Sequence, residues 1–166
     1  MITGFITLRN AVAEDIPFLT RLYSDTRRHE VSAWGWLPEQ QEWFLHMQFD
    51  AQRRSYQASF PDAVDRIVLR EDMPIGRVLT CQERASLHLI DIALIEAQRQ
   101  HGIGTYLLRE LLQECQAKGC ALHLQVAQGN RAMRLYQRLG FHQTGGDPMY
   151  LRMEWTPLPE QENLAC

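Results

Sequence analysis

The 166-residue chain has no apolar run near the roughly 18–20 residues that cross a bilayer as a helix. Its opening, "MITGFITLRNAVAED", has no basic region leading into a long apolar segment. No membrane partner is expected, and the cytoplasm is the expected location. Positive charge is also scarce: 17 Lys and Arg against 20 Asp and Glu leave a formal charge of −3. The chain therefore lacks the field with which general nucleic-acid binders displace counterions. No nucleic-acid partner is expected, and a cationic small molecule or peptide is easier to accept. The four cysteines, Cys81, Cys115, Cys120 and Cys166, show neither C-x-x-C spacing nor a histidine at zinc-finger distance. They read as free thiols of a reducing compartment, and no metal is expected. Internal repeats and low-complexity linkers are missing too, so a single domain over residues 1–156 is expected, followed by a loose tail, "PLPEQENLAC", over 157–166.

What is present is an ordered series of amphipathic segments. "FITLRNAV" alternates as a strand does, and "AEDIPFLTRLYSDTRR" follows with acids first and arginines last, the charge order that complements a helix dipole. A second helix opens at Pro38, with Trp43 and Met47, and Leu45 and Phe49, spaced to share faces; "SAWGWLPE" is the loop between. Period-two runs "RIVLR" and "PIGRVLT" flank "EDM" as a hairpin, and "SLHLIDIALI" is a third apolar strand. In "TYLLRELLQECQAK" a stripe of Ile103, Leu107 and Leu111 runs beside Leu108, Leu112 and Cys115, with Gly119 placed to end the helix. The strand "CALHLQV", the helix "NRAMRLYQRLG" and the strand "MYLRMEW" close the pattern. The order β, two helices, three strands, helix, strand, helix, strand implies a mixed α/β fold. Its sheet is mostly antiparallel, with one parallel crossover through the long helix.

The stretch "QRQHGIGTY" interrupts this regularity, because Gly102 and Gly104 each cost about 1 kcal/mol relative to alanine inside a helix. One explanation is a ligand that approaches the backbone, with successive amides around residues 100–105 pointing at a diphosphate, Arg99 adding charge and Thr105 a hydroxyl. The other is a tight strand-to-helix turn. A Walker loop needs Lys-Ser or Lys-Thr after its second glycine, where this chain has Thr-Tyr. A dinucleotide fingerprint needs a third glycine near position 107, which is leucine.

"RQHGIG" after an apolar strand closely resembles the acetyl-coenzyme A signature of the GNAT superfamily of N-acetyltransferases. "NRAMRLYQRLGF" resembles that family's later Asn…Ala…Leu-Tyr…Leu-Gly-Phe block, and "ITLRNAVAEDIPFL" its usual opening. Residues 25–65 match least. The resemblance implies the GNAT acyl-CoA N-acyltransferase fold, a central mixed sheet with helices on both faces, and acetyl-coenzyme A as co-substrate. It also implies that the pantetheine arm runs along the strand of Ile92, Leu94 and Ile95, with a backbone amide near Leu94 holding the acetyl oxygen. The diphosphate falls on Arg99, Gln100, His101, Gly102, Ile103, Gly104 and Thr105, and Asn130 contacts the arm or a bound water.

Direct attack of an amine on the thioester needs a base for the amine and an acid for the departing sulfur. Tyr136 matches the family tyrosine in the second role; on its position alone it is equally a core tyrosine anchored by a hydrogen bond. For the base, Asp91 is a charge in an apolar run whose burial raises its pKa, and His88 has the more convenient intrinsic pKa. Ordered water without a dedicated residue is the third alternative. The resemblance implies that the acceptor, a small-molecule amine or a peptide, is held by the first two helices, their connecting loop and the final hairpin, with Trp34 and Trp36 as candidate walls. Protein N-terminal or lysine acetylation and non-catalytic acyl-coenzyme A binding are the rival functions. A homodimer through sheet edges or C-terminal strands is compatible with the resemblance.

Overall fold

The computed structural model describes residues 4–159; Cys166 and the tail from position 160 lie outside them. Seven strands and four α-helices follow in the order β1 (Ile6–Asn10), α1 (Ile16–Ser32), α2 (Pro38–Ser59), β2 (Val64–Arg70), β3 (Met73–Gln82), β4 (Ser86–Leu94), α3 (Ile103–Lys118), β5 (Ala121–Ala127), α4 (Ala132–Arg138), β6 (His142–Gly146) and β7 (Tyr150–Trp155). The strands form one mixed sheet in the hydrogen-bonded order β1-β2-β3-β4-β5-β7-β6, flanked by helices. Packing sorts the chain into two compact units with boundaries at Cys81/Gln82, Leu89/Ile90 and Gly104/Thr105, so β4 and α3 each contribute to both.

The first unit holds β1 to β3, the second half of β4 and the helix pair α1 and α2. The turn into α1 is fixed by Asp15, whose carboxylate accepts two 2.7 Å hydrogen bonds from Arg9 and a third from the Val12 amide at 2.9 Å. Pro17 occupies the first turn of α1, where its missing N–H costs nothing. In α2 the two expected face-sharing pairs separate: Leu45 and Phe49 are buried, whereas Trp43 and Met47 are exposed. Leu19, Leu22, Phe49 and Ile67 form the core of this unit, with Ala93 and Ile95 packed against it. At Gly76 an added Cβ would strike the Ala93 carbonyl and the Leu94 side chain, so this glycine is required by close approach of β3 to β4.

In the second unit β4 and β5 pair in parallel from Ser86↔Ala121 to Leu89↔Leu124, the parallel crossover expected from the chain order. The whole expected apolar stripe of α3 is buried: Ile103, Leu107, Leu108, Leu111, Leu112 and Cys115. Gly119 ends the helix with φ +63°, and Cys120 N–H returns to the Cys115 carbonyl at 3.0 Å. Burial pushes the Cys115 thiol up to about 12, with Cys120 adding to the shift, so this sulfur is a core atom rather than a nucleophile. At the start of the tail, Leu158 exchanges two hydrogen bonds with the Gln116 side chain, at 2.9 and 3.0 Å.

Two details differ from the sequence reading. β6, "HQTGG", is an additional strand on the sheet edge, paired to β7 across an irregularity between Gln143 and Gly145; a polar, glycine-containing edge carries no apolar alternation to reveal it. The β2–β3 hairpin is also tighter than "EDM" suggests. Met73 already pairs with Arg70, leaving a two-residue loop in which Glu71 (φ +49°) and Asp72 (φ +64°) both adopt left-handed conformations. Such a loop favours Asn-Gly, because a side chain in this region costs roughly 1–2 kcal/mol. Replacing Glu71-Asp72 with Asn-Gly is expected to raise the unfolding free energy by about 1 kcal/mol in urea titration; a decrease would contradict the assigned turn.

Candidate active site

The chain from Leu94 into α3 carries a conformational constraint. Gln100 has φ +62° and Gly102 has φ +81°, so the backbone passes twice through left-handed geometry before the helix starts. Glycine is needed at position 102 for this reason. Gly104 is helical, and an added Cβ there would meet nothing within 4 Å, so neither packing nor backbone conformation requires it. The first N–H groups of a helix have no intrahelical acceptor, and a missing side chain gives an anion access to them. Arg99 adds to the demand for an acceptor: its Nε donates to the Leu94 carbonyl at 2.8 Å, but its Nη2 is buried without a partner. Gln98 is held by Arg70 at 2.6 Å. An accessible helix start preceded by an arginine fits a diphosphate group. Gln100 and His101 are exposed, Thr105 is half-buried and Ile103 is part of the core.

Asp91 belongs to a charge cluster that the sequence reading did not assemble. Arg77, buried on β3, donates from Nε and Nη2 to both oxygens of Asp65 at 2.8 Å and places Nη1 3.6 Å from Asp91 Oδ2. Burial alone would lower the Arg77 pKa, but the hydrogen-bonded charge of Asp65, with Asp91 and Tyr56, outweighs it and raises the value. Asp91 keeps 31% of its side-chain surface open, yet the surrounding protein desolvates its carboxylate strongly. Desolvation raises its pKa above the ordinary range; Arg77 opposes the shift and Asp65 reinforces it. The signal for this pairing was an arginine inside the apolar run "PIGRVLT", matching the aspartate inside "SLHLIDIALI".

The other candidate base lies in different surroundings. His88 Nδ1 is 3.8 Å from Glu83; burial lowers its pKa, Glu83 opposes and His123 adds to the lowering. It heads a row across the second unit, His88↔His123↔Glu154↔His142, with Glu154 3.3 Å from His123 and 3.8 Å from His142. His88 and Asp91 thus have separate partners. Among the described residues no cluster of His, Cys, Asp or Glu has the geometry to hold a metal ion, and no helix is long and apolar enough to cross a membrane.

Tyr136 is buried in α4 and meets Phe141 edge-on at 5.6 Å. Asn130 has a structural task, since its Oδ1 accepts the Ala132 amide at 2.9 Å and opens α4. On β4, Ile92 and Leu94 are half-buried, whereas Ile95 packs on the core of the first unit and donates its amide to the Ile75 carbonyl at 2.9 Å. Trp34, Trp36 and Phe44 form a three-ring edge-to-face cluster with centroids 5.2–5.4 Å apart. Both tryptophans nevertheless stay about half exposed, and Trp36 joins Glu39, Gln40 and Trp43 around a cavity of about 380 Å³.

The charge cluster sets a pH dependence. A carboxyl whose pKa is higher in the folded than in the unfolded chain supports the fold in acid, and that support is lost as pH rises through the folded value. Asp91 is such a group. Asp15, held low chiefly by its hydrogen bonds from Arg9, does the reverse and loses its contribution as pH falls through the folded value. Carboxyl-carbon NMR titration is expected to place the Asp91 midpoint above the ordinary aspartate value of about 3.9, and Asp65→Asn is expected to lower it by removing a neighbouring negative charge. A wild-type midpoint at or below the ordinary value would contradict the assigned desolvation.

Comparison with known proteins gives a consistent result. The family described as the Acetyltransferase (GNAT) family matches residues 19–141. The search of curated protein sequences finds no match. Among solved structures the chain is similar to the PaiA N-acetyltransferase of Thermoplasma acidophilum in complex with coenzyme A, at 19% identity and TM-score 0.69, covering 92% of this chain and 99% of that one. It is also similar to a Corynebacterium glutamicum protein described as histone acetyltransferase HPA2 and related acetyltransferase, at 20% identity and TM-score 0.67, covering 94% and 98%. An acetyltransferase from Thermus thermophilus aligns at 17% identity and TM-score 0.64, covering 91% and 96%. At these identities the structural likeness establishes the fold.

Proposed function

The chain belongs to the GNAT acetyltransferase family, and on that premise we propose that it transfers an acetyl group from acetyl-coenzyme A directly to the primary amine of a small cationic acceptor. The observation that carries this reading is the start of α3, where an added Cβ at Gly104 would meet nothing within 4 Å. Backbone amides of residues 100–105, Arg99 and the Thr105 hydroxyl hold the diphosphate. Ile92 and Leu94 border the pantetheine arm through strand backbone, and Asn130 retains its amide nitrogen for the same arm. The coenzyme supplies an activated thioester when bound. Residues 1–156 act as one catalytic domain in this proposal.

Asp91 takes the excess proton of the attacking amine. Its raised pKa suits that task, because a carboxylate of ordinary pKa is too weak a base near neutrality. Arg77 is a positioning residue: clamped by Asp65, it holds the Asp91 carboxylate in place and keeps the pKa from rising so far that the base is permanently protonated. Tyr136 delivers a proton to the departing sulfur. Glu39 between Trp36 and Trp43 supplies the negative charge and ring faces that attract an ammonium group, which favours a small cation over an extended peptide as acceptor.

The test is a thiol-release screen with acetyl-coenzyme A against polyamines, amino acids, aminoglycosides and short peptides. Turnover is expected with at least one small polycationic amine. Tyr136→Phe is expected to lower kcat on the order of 100-fold while leaving the coenzyme dissociation constant within about twofold. Asp91→Asn is expected to abolish the acidic limb of the pH–rate profile. If Asp91→Asn keeps that limb and His88→Gln removes it, the base is His88. Tight coenzyme binding with no thiol release on any amine would leave a non-catalytic acyl-coenzyme A binder.

A further inference from the structure

The first unit contains a second cavity, of about 510 Å³, lined by residues from the β1–α1 turn, the C-terminal half of α2 and strands β2 and β3. We propose that it is a ligand site for a monocarboxylate with a compact apolar body, sharing only Arg77 and its clamp Asp65 with the residues assigned to acetyl transfer. Its size falls within the range of small-molecule pockets, roughly 300–1,000 Å³. Val12, Ile16, Leu19, Phe60 and Leu79 supply apolar wall, which rewards an apolar body and gives no purchase to a bare inorganic anion.

The polar lining specifies the head group. Arg53, Asp65 and Arg77 all line the cavity, but Arg77 and Asp65 are matched to each other through two 2.8 Å hydrogen bonds. Arg53 is not matched in this way. Its nearest carboxylate is Asp50, 3.8 Å from Nη2 and half exposed to solvent, and its Nε is buried without a hydrogen-bond partner. A buried donor on a cation costs free energy until an acceptor reaches it. With Asp65 neutralised by Arg77, the charge left over in the lining is positive. A carboxylate oxygen competes with the distant Asp50 for the accessible edge of the Arg53 guanidinium, whereas an ammonium ion is repelled by it.

The experiment uses the full chain and two probes, hexanoate and 3-phenylpropionate, with hexylamine and inorganic phosphate as controls. Binding is followed by calorimetry and by amide chemical-shift mapping. Saturable binding of both carboxylates is expected, with shifts concentrated at residues 11–16 and 60–65 and no saturable binding of hexylamine or phosphate. Arg53→Met is expected to weaken the carboxylates at least tenfold. Ala63→Trp, which fills the cavity from a half-buried lining position, is expected to abolish their binding while far-UV circular dichroism and coenzyme affinity stay unchanged. The proposal is overturned if the wild type binds neither carboxylate, if hexylamine binds as tightly, or if Arg53→Met keeps the affinity within twofold in a folded protein.

Discussion

Between Leu94, where β4 ends, and Ile103, where α3 begins, the chain must reverse its hydrogen-bonding habit from strand to helix in a few residues. It does so by placing Gln100 and Gly102 in left-handed conformations. This manoeuvre opens α3 at Ile103, and Gly104 leaves its first turn without a side chain to cover the backbone there. The rest of the proposed chemistry depends on it, because a coenzyme that is not fixed by its phosphates has no defined position for its sulfur. The cost is visible in the sequence, since two weak helix formers stand where a helix must nucleate. Recognition of a diphosphate by this backbone, as proposed, gives such a cost a reason.

Charge burial is handled differently at the middle of the sheet. An arginine and two aspartates within one apolar layer would each be costly alone, but the bidentate contact of Arg77 with Asp65 satisfies most of the local demand. Asp91 receives only the longer, 3.6 Å contact. That asymmetry divides the two carboxylates into a structural partner and a group whose proton affinity is raised. Two acids facing one buried cation thereby sit in different environments, the asymmetry on which the proposed role of Asp91 rests.

Local information in the sequence was enough to read much of this. The α3 stripe, the helix-ending Gly119, the proline starts of α1 and α2 and the strand carrying Asp91 all follow from periodicity and terminal residues, which act over a few positions. Partnerships set by register were not legible. Nothing adjacent to Arg77 announces Asp65, because the two meet only when β2 and β3 pair with Ile67 opposite Arg77. The same limit hid β6, whose "HQTGG" depends on β7 for its strand character, and the capping task of Asn130. The "WGW" loop was readable as unusual, while its packing on Phe44 required the α1–α2 geometry.

Gly104 offers the most direct test of the central claim, because folding and ligand binding make opposite demands on it. Gly104→Ala adds a methyl group that touches nothing in the protein and should stabilise α3 by about 0.5–1 kcal/mol. The account predicts that calorimetry on this variant shows coenzyme A affinity reduced at least tenfold in a protein that melts no lower than wild type. Unchanged affinity in the stabilised variant would contradict recognition of the diphosphate by the uncovered main chain at the start of α3.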